Sequence, residues 1–284
     1  MEQAMNQMSI SSALQDTVLN LPVFEDGVSK SGSVSNGATK RRAYPPITVK
    51  IASTRAEREG AFRLVYQRYL SSGLCAPNPH EMRITPYHLL DTTTIFTAHY
   101  QGEVIFTVSL VGDSEHGVPM ESIFPDEIRG LRDCGIRFGE ISCLADRRKN
   151  LIRFLPLFVQ VTSLMFQHAI REGPYRFVIA VHPKHGKFYE RFFGFRPIAD
   201  VRPYSSVQNR PAMAYALDST WLLKERHEQY FGKVVPAEEL LPQPMSEAER
   251  RDFAPVAYPL GERELLSGGY DLTPTESNVA VATA

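Results

Sequence analysis

Net charge, paired cysteines and long apolar runs are all missing from this sequence, and each absence removes a class of function. With 31 Lys and Arg against 32 Asp and Glu, the formal net charge is -1. No global field exists for wrapping a polyanion, and no basic helix with interleaved base-reaching residues appears, so no nucleic-acid partner is expected. The 3 cysteines, Cys75, Cys134 and Cys143, are odd in number and form no CxxC pair, which disfavours a disulfide framework and a structural zinc site. That usage fits a reducing cytoplasm. His182 and His185 lack an HxxxH or HExxH spacing, so no metal is expected there either. Acids and amides interrupt every apolar run in MEQAMNQMSISSALQDTVLN, which argues against a signal peptide. Nothing elsewhere reaches the roughly 18 uninterrupted apolar residues of a membrane span. GxSxG, Walker and dinucleotide motifs are absent, leaving hydrolase, NTPase and Rossmann dehydrogenase readings without support.

What is present suffices for one sizeable core: 284 residues, 43% of them hydrophobic. Ser, Gly and Asn dominate 26–43, and 266–284 reads alike, the composition of disordered segments. A short helix is compatible with 10–24. The resulting division is a disordered or weakly helical extension over 1–45, a domain over 46–220, a helical extension over 221–262 that packs on it, and a disordered tail over 263–284. Ile47 to Ile51 alternates as a strand, and Thr54 with Glu57 makes a capping box for a helix over about 54–71. Ile95–Tyr100 and Val104–Val111 predict a hairpin turned at Gly102. After a Pro/Gly-interrupted stretch, 112–136, come a strand over Arg137–Leu144 and a long apolar helix to about Arg171, regular from about 155 because of Pro156. Tyr175–Val181 reads as a strand buried on both faces, so strand, helix and strand form a parallel βαβ unit. A helix over Lys184–Phe193 and strands over Phe195–Val201 and Ala212–Leu217 complete the pattern. Trp221–Tyr230 is helical in character.

Ligands of such sheets gather beyond the carboxyl ends of parallel strands. That place is Ala145 to Arg153, where Arg147, Arg148, Lys149 and Arg153, with Asn150 among them, precede a helix N-terminus suited to a phosphate. A solvated basic loop is the plain alternative. Alternation puts Glu140 on one face with Phe138, Ser142 and Leu144, where partial desolvation raises a carboxylate toward a general base; a solvent-facing or Arg-paired Glu is equally compatible with the pattern. Cys143 falls on the opposite face and reads as a small core residue. Tyr189 by itself reads as helix packing.

The order β, α, ββ, β, α, β, α, ββ and the segment Phe188-Tyr189-Glu190-Arg191-Phe192-Phe193-Gly194-Phe195 resemble GNAT acyltransferase domains. More narrowly, Tyr66-Gln67-Arg68-Tyr69, Phe138-Gly139-Glu140-Ile141-Ser142, the stretch from Arg147 to Leu157, and His182-Pro183-Lys184-His185 are similar to long-chain N-acyl amino acid synthases of the FeeM type, cousins of the acyl-homoserine-lactone synthases. The resemblance covers about 47–218. It implies an α+β fold, an α/β/α sandwich with a mixed central sheet and a parallel βαβ core. It implies an N-acyltransferase that moves a fatty acyl group from a carrier thioester to the amino group of an amino acid. Glu140 resembles that group's central-strand base, and Tyr189 the tyrosine that protonates the leaving thiolate. The turn at Arg147, Arg148 and Lys149 occupies the pyrophosphate-binding place of GNAT enzymes but lacks its glycines. Basic side chains there suit the phosphopantetheine of an acyl carrier protein better than coenzyme A. No permanently bound cofactor is implied; acyl-phosphopantetheine is the co-substrate. Membrane contact is limited to what a lipid product brings. The rival readings are homoserine-lactone synthesis and a non-catalytic acyl-carrier-binding protein.

Overall fold

A computed structural model of the chain describes residues 46–147 and 151–257, with the backbone alone for 151–153. The extension expected over 1–45 with the helix read at 10–24, the last residues of the helical extension expected over 221–262 together with the tail, and Arg148, Lys149 and Asn150 lie outside the described residues.

One mixed sheet organises the rest. Its strands are β1 (Thr48–Ile51), β2 (Thr93–Tyr100), β3 (Glu103–Gly112), β4 (Phe138–Asp146), β5 (Arg176–Val181), β6 (Arg196–Pro197), β7 (Arg202–Tyr204) and β8 (Arg210–Asp218). They run in the order β1-β2-β3-β4-β5-β8-β6, with β7 also paired to β8. β4 and β5 are parallel, and the other pairs are antiparallel. A parallel pair needs a long crossover. Here it contains the helix α3 (Leu151–Ile170), while α1 (Arg55–Ser71) and α2 (Pro125–Asp133) precede it. Helix α4 (Pro183–Phe193) follows β5, and α5 (Ser219–Glu225), α6 (His227–Phe231) and α7 (Glu247–Ala257) follow β8.

Local chemistry explains the elements that position the site. Thr54 Oγ1 accepts the Glu57 N–H at 3.3 Å while the Glu57 carboxylate accepts the Thr54 N–H at 3.1 Å, so two otherwise orphaned donors at the start of α1 are satisfied. The β2–β3 turn places Gln101 at φ 53° and Gly102 at φ 81°, the two left-handed residues that match strand twist in a tight hairpin. Gly194 ends α4 at φ 86°, with Trp221 closed over it where a side chain would stand.

Two apolar layers cover the sheet. On one side α3, α4 and α6 bury Phe158, Phe166, Phe193 and Tyr230 against Phe96, Phe106 and Phe177. Fully burying side chains of this size is worth about 1.5–3 kcal/mol each. On the other side α1, α2 and α7 supply Leu64 and Val65, Ile128 and Leu131, and Phe253. Residues after β8 thus reach both faces: Tyr230 accepts at its carbonyl from Ser163 at 2.5 Å, and Glu249 pairs with the buried Arg58 at 2.6 Å.

Three expectations need correction. Helix α3 runs from Leu151, not from about 155, and holds Pro156 inside it, where the proline gives up the bond to the Ile152 carbonyl. The strand expected over Phe195–Val201 shrinks to Arg196–Pro197 and resumes as Arg202–Tyr204, since Pro197 and Pro203 cannot donate to a ladder. The stretch 112–136 contains a 3-10 turn, Pro119–Ser122, and α2, each with proline in its first turn.

Candidate active site

β4 and β5 pair only through Phe138 with Arg176, Gly139 with Phe177 and Glu140 with Val178. Beyond Glu140 they part, although β4 continues to Asp146 and β5 to Val181. A bulge lies at that point. Thr107 of β3 faces Ala145 while Ser109 faces Ser142, so β4 carries one residue more than its partner, and Cys143 sits at φ 52°. The extra residue also reverses the faces. Ile141 and Leu144 pack with the α3 side, whereas Cys143 and Ala145 join Leu64 and Val65 of α1. The expectation that Leu144 shares the face of Glu140 and that Cys143 opposes it is therefore wrong, because strict alternation ends at a bulge.

Glu140 is 2% exposed and accepts the Met120 N–H at 2.6 Å. Burial pushes its carboxyl up to about 8, the Met120 bond opposing that only in part. No ion pair joins it among the described residues. The turn that presents Met120 is pinned by Arg132, which holds Glu121 at 2.5 Å and Asp113 at 2.7 Å. A carboxyl that ionises near neutrality suits proton abstraction.

A cleft of about 2130 Å³ opens where the strands part, larger than the roughly 300–1,000 Å³ of common ligand pockets. Glu140 and Cys143 stand in its wall. One end is aromatic, with Phe154, Phe158, Phe166, Phe188 and Phe193 lining it. Phe154 stacks on Phe158 at 4.9 Å and Phe188 on Phe192 at 5.2 Å. The other end is polar, bounded by Tyr69, Arg83, Tyr204 and Ser206. Burial pushes the phenols of Tyr69 and Tyr204 upward, and both feel the charge of Glu140. Burial likewise raises the Cys143 thiol, which keeps it protonated and a poor nucleophile.

Tyr189 also lines the cleft, half-buried, and burial pushes its phenol up to about 12, so it holds a proton to donate. Glu140, Tyr189 and Tyr69 thus line one cleft. Arg147 is elsewhere. It is exposed, its backbone N–H donates to Ile105 at 2.9 Å, its guanidinium pairs with Glu103, and it is not among the residues lining the cleft. Arg148, Lys149 and Asn150 lie outside the described residues, and so does the Arg153 side chain. His182 caps α4, its Nδ1 accepting from the Lys184 N–H at 3.2 Å, and it lines the cleft with His185. No His, Cys, Asp and Glu group able to hold a metal occurs among the described residues.

Sequence reasoning missed Arg83, Tyr204 and the Met120 N–H as site groups, and gave Tyr69 no role in the site. The one available signal was Arg83 itself, a lone cation between Met82 and Ile84, both of which are buried.

The family model for the N-acyl amino acid synthase FeeM matches residues 60–218. Among curated proteins none matches. In the solved structures, FeeM, an N-acyl amino acid synthase from uncultured soil microbes, is 24% identical with a TM-score of 0.54, over 66% of this chain and 95% of that one. The acyl-homoserine-lactone synthase LasI is 16% identical with a TM-score of 0.49, over 67% and 96%. An acyl-CoA N-acyltransferase from Pseudomonas aeruginosa is 16% identical with a TM-score of 0.41, over 61% and 99%. The likeness to FeeM agrees with the mixed sheet and its single described parallel pair, and the family match spans more than half of the sequence; the chain belongs to the FeeM family of N-acyl amino acid synthases and is an N-acyltransferase of the GNAT fold.

Proposed function

We propose that this enzyme transfers a long-chain fatty acyl group from the thioester of an acyl carrier protein to the amino group of an amino acid, giving an N-acyl amino acid. The observation that carries the reading is Glu140, buried at the point where β4 and β5 part, between an aromatic trough and a polar recess. The acyl chain lies along Phe154, Phe158 and Phe188, and the acceptor enters from the side of Tyr69.

In the proposed reaction the amine nitrogen, as a free base, attacks the thioester carbonyl and the C–N bond forms. Glu140 takes the proton that the nitrogen sheds. The oxyanion is held by backbone N–H groups on the edge of β4 left without a strand partner beyond Glu140, a contribution often worth about 3–4 kcal/mol per donor. Collapse breaks the C–S bond, and Tyr189 gives its proton to the leaving sulfur. Proton return from Glu140 to Tyr189 through water closes the cycle, so carrier thiol and amide are the sole products.

The basic turn at Arg147, Arg148, Lys149, Asn150 and Arg153 supports carrier docking in this proposal. Arg147 and Glu103 form an exposed pair, worth about 0–1 kcal/mol, which an incoming phosphate displaces at small cost. No helix among the described residues is long and apolar enough to cross a membrane; we place the reaction in the cytoplasm, where acyl carriers are made. Catalysis is assigned to 46–220, with 221–262 as a buttress.

The test is to incubate the protein with long-chain acyl carrier protein, acyl coenzyme A or neither, together with a pool of amino acids or S-adenosylmethionine, and to identify products by mass spectrometry. N-acyl amino acids formed from the carrier protein support the proposal. Acyl-homoserine lactone, or carrier binding with no product, contradicts it.

A further inference from the structure

Arg83 lies on the segment between α1 and β2 and stands in the polar end of the cleft. Its guanidinium carbon sits 4.9 Å over the Tyr69 ring, and its Nη2 donates to the Ser206 carbonyl at 2.7 Å. These two contacts fix the plane of the fork. Its Nε is buried and has no hydrogen-bond partner, and among the described residues no carboxylate pairs with the side chain. The carboxylates that line the cleft are committed elsewhere: Glu121 is held by Arg132, and Glu140 takes the Met120 N–H. The charge of Arg83 is felt at Tyr69, Cys75, His88 and Cys143, so the recess is positive without a counter-ion of its own.

A planar, partly desolvated guanidinium in want of an acceptor matches the paired oxygens of a carboxylate or a phosphate, and of the proposed substrates the acceptor amino acid is the one that carries a carboxylate. The Tyr69 ring, under the Arg83 guanidinium, lines the same cleft as Glu140 and Tyr189, the groups assigned to proton transfer. In an α-amino acid one carbon joins the carboxylate to the amine. Seating the carboxylate on Arg83 turns the nitrogen toward the Glu140 side of that ring.

We propose that Arg83 receives the α-carboxylate of the acceptor and makes the site selective for amino acids over amines that lack this group. The proposal rests on the acceptor class inferred above.

The test presents long-chain acyl carrier protein to the wild-type chain with an equimolar pool of amino acids and their matching carboxamides, and counts N-acyl products by mass spectrometry. The amides are intrinsically the readier nucleophiles, because their amines lose a proton more easily. The wild type is nonetheless expected to favour acids by about tenfold or more, since a site built for a charged partner rejects the analogue without it. Arg83→Gln should bring the ratio to within about twofold of the intrinsic preference, and Arg83→Lys should fall between, keeping charge without the fork. Equal yields from acids and amides with the wild type overturn the assignment, and that comparison needs no variant to fold. A folded Arg83→Gln chain that keeps the wild-type ratio overturns it as well, whatever happens to its affinity for the carrier. Absence of any N-acyl product from either pool overturns the acceptor reading itself.

Discussion

The two halves of β4 behave as different structures. From Phe138 to Glu140 the strand has partners on both sides, β3 and β5, and its residues pack as core. From Ile141 to Asp146 it keeps β3 alone, swells by one residue at Cys143, and turns its other edge to the cleft. Glu140 is the last residue of the first half. A carboxylate there is anchored as rigidly as core and still opens onto substrate space. The same strand therefore supplies both the scaffold and a wall of the cleft, and an acid buried there without a charged neighbour is pushed up to about 8.

The sharpest way to break the comparison is Glu140→Gln, which keeps shape and removes the base. Acyl transfer at saturating substrates should fall by about 10²–10⁴-fold, read as product per unit time. Stability should move the other way at high pH. Because burial holds Glu140 above its ordinary value of 4.5, its contribution is fully present below 4.5 and is lost as pH rises through about 8. The Gln variant should then melt above the wild type at pH 9 and level with it at pH 4, in paired thermal melts.

A smaller effect is expected at the bulge. Cys143 adopts a positive φ without being glycine, so a β-branched replacement is strained there. Cys143→Val should be less stable than Cys143→Gly by about 1–2 kcal/mol, measured by denaturant unfolding. Equal stabilities would mean that the bulge relaxes on substitution. Tyr189→Phe is expected to do least, slowing transfer by about tenfold or less, because a thiolate leaves readily without full protonation. A loss as large as that of Glu140→Gln would give Tyr189 the larger role.

Where local chemistry decides, the sequence was legible. The capping box at Thr54, the hairpin at Gly102 and the buried strand before α4 all depend on residues within a few positions of one another. The βαβ unit followed from periodicity, whereas alternation left Glu140 open and only the family resemblance singled it out. What stayed hidden depends on distant partners. Cysteine has no preference for positive φ, so nothing in Ser142-Cys143-Leu144 announces the bulge that moves Cys143 onto the Glu140 face. Pro119 and Pro125 read as interruptions, yet both start short helical turns, and the first of these delivers Met120 to Glu140. Arg83 becomes a site residue only through Tyr69 and Ser206, which come from α1 and the segment after β7.

The pH dependence of acyl transfer tests the central claim, that Glu140 is the base, most directly. The groups that face Glu140, namely Tyr69, Tyr204 and Cys143, are all pushed upward by burial and stay neutral through this range. The wild-type rate should rise with pH through an ionisation near 8, the value at which Glu140 loses its proton. In Glu140→Gln that limb should vanish and leave only the ionisation of the acceptor amine. A limb near 8 that persists unchanged in Glu140→Gln would contradict the account.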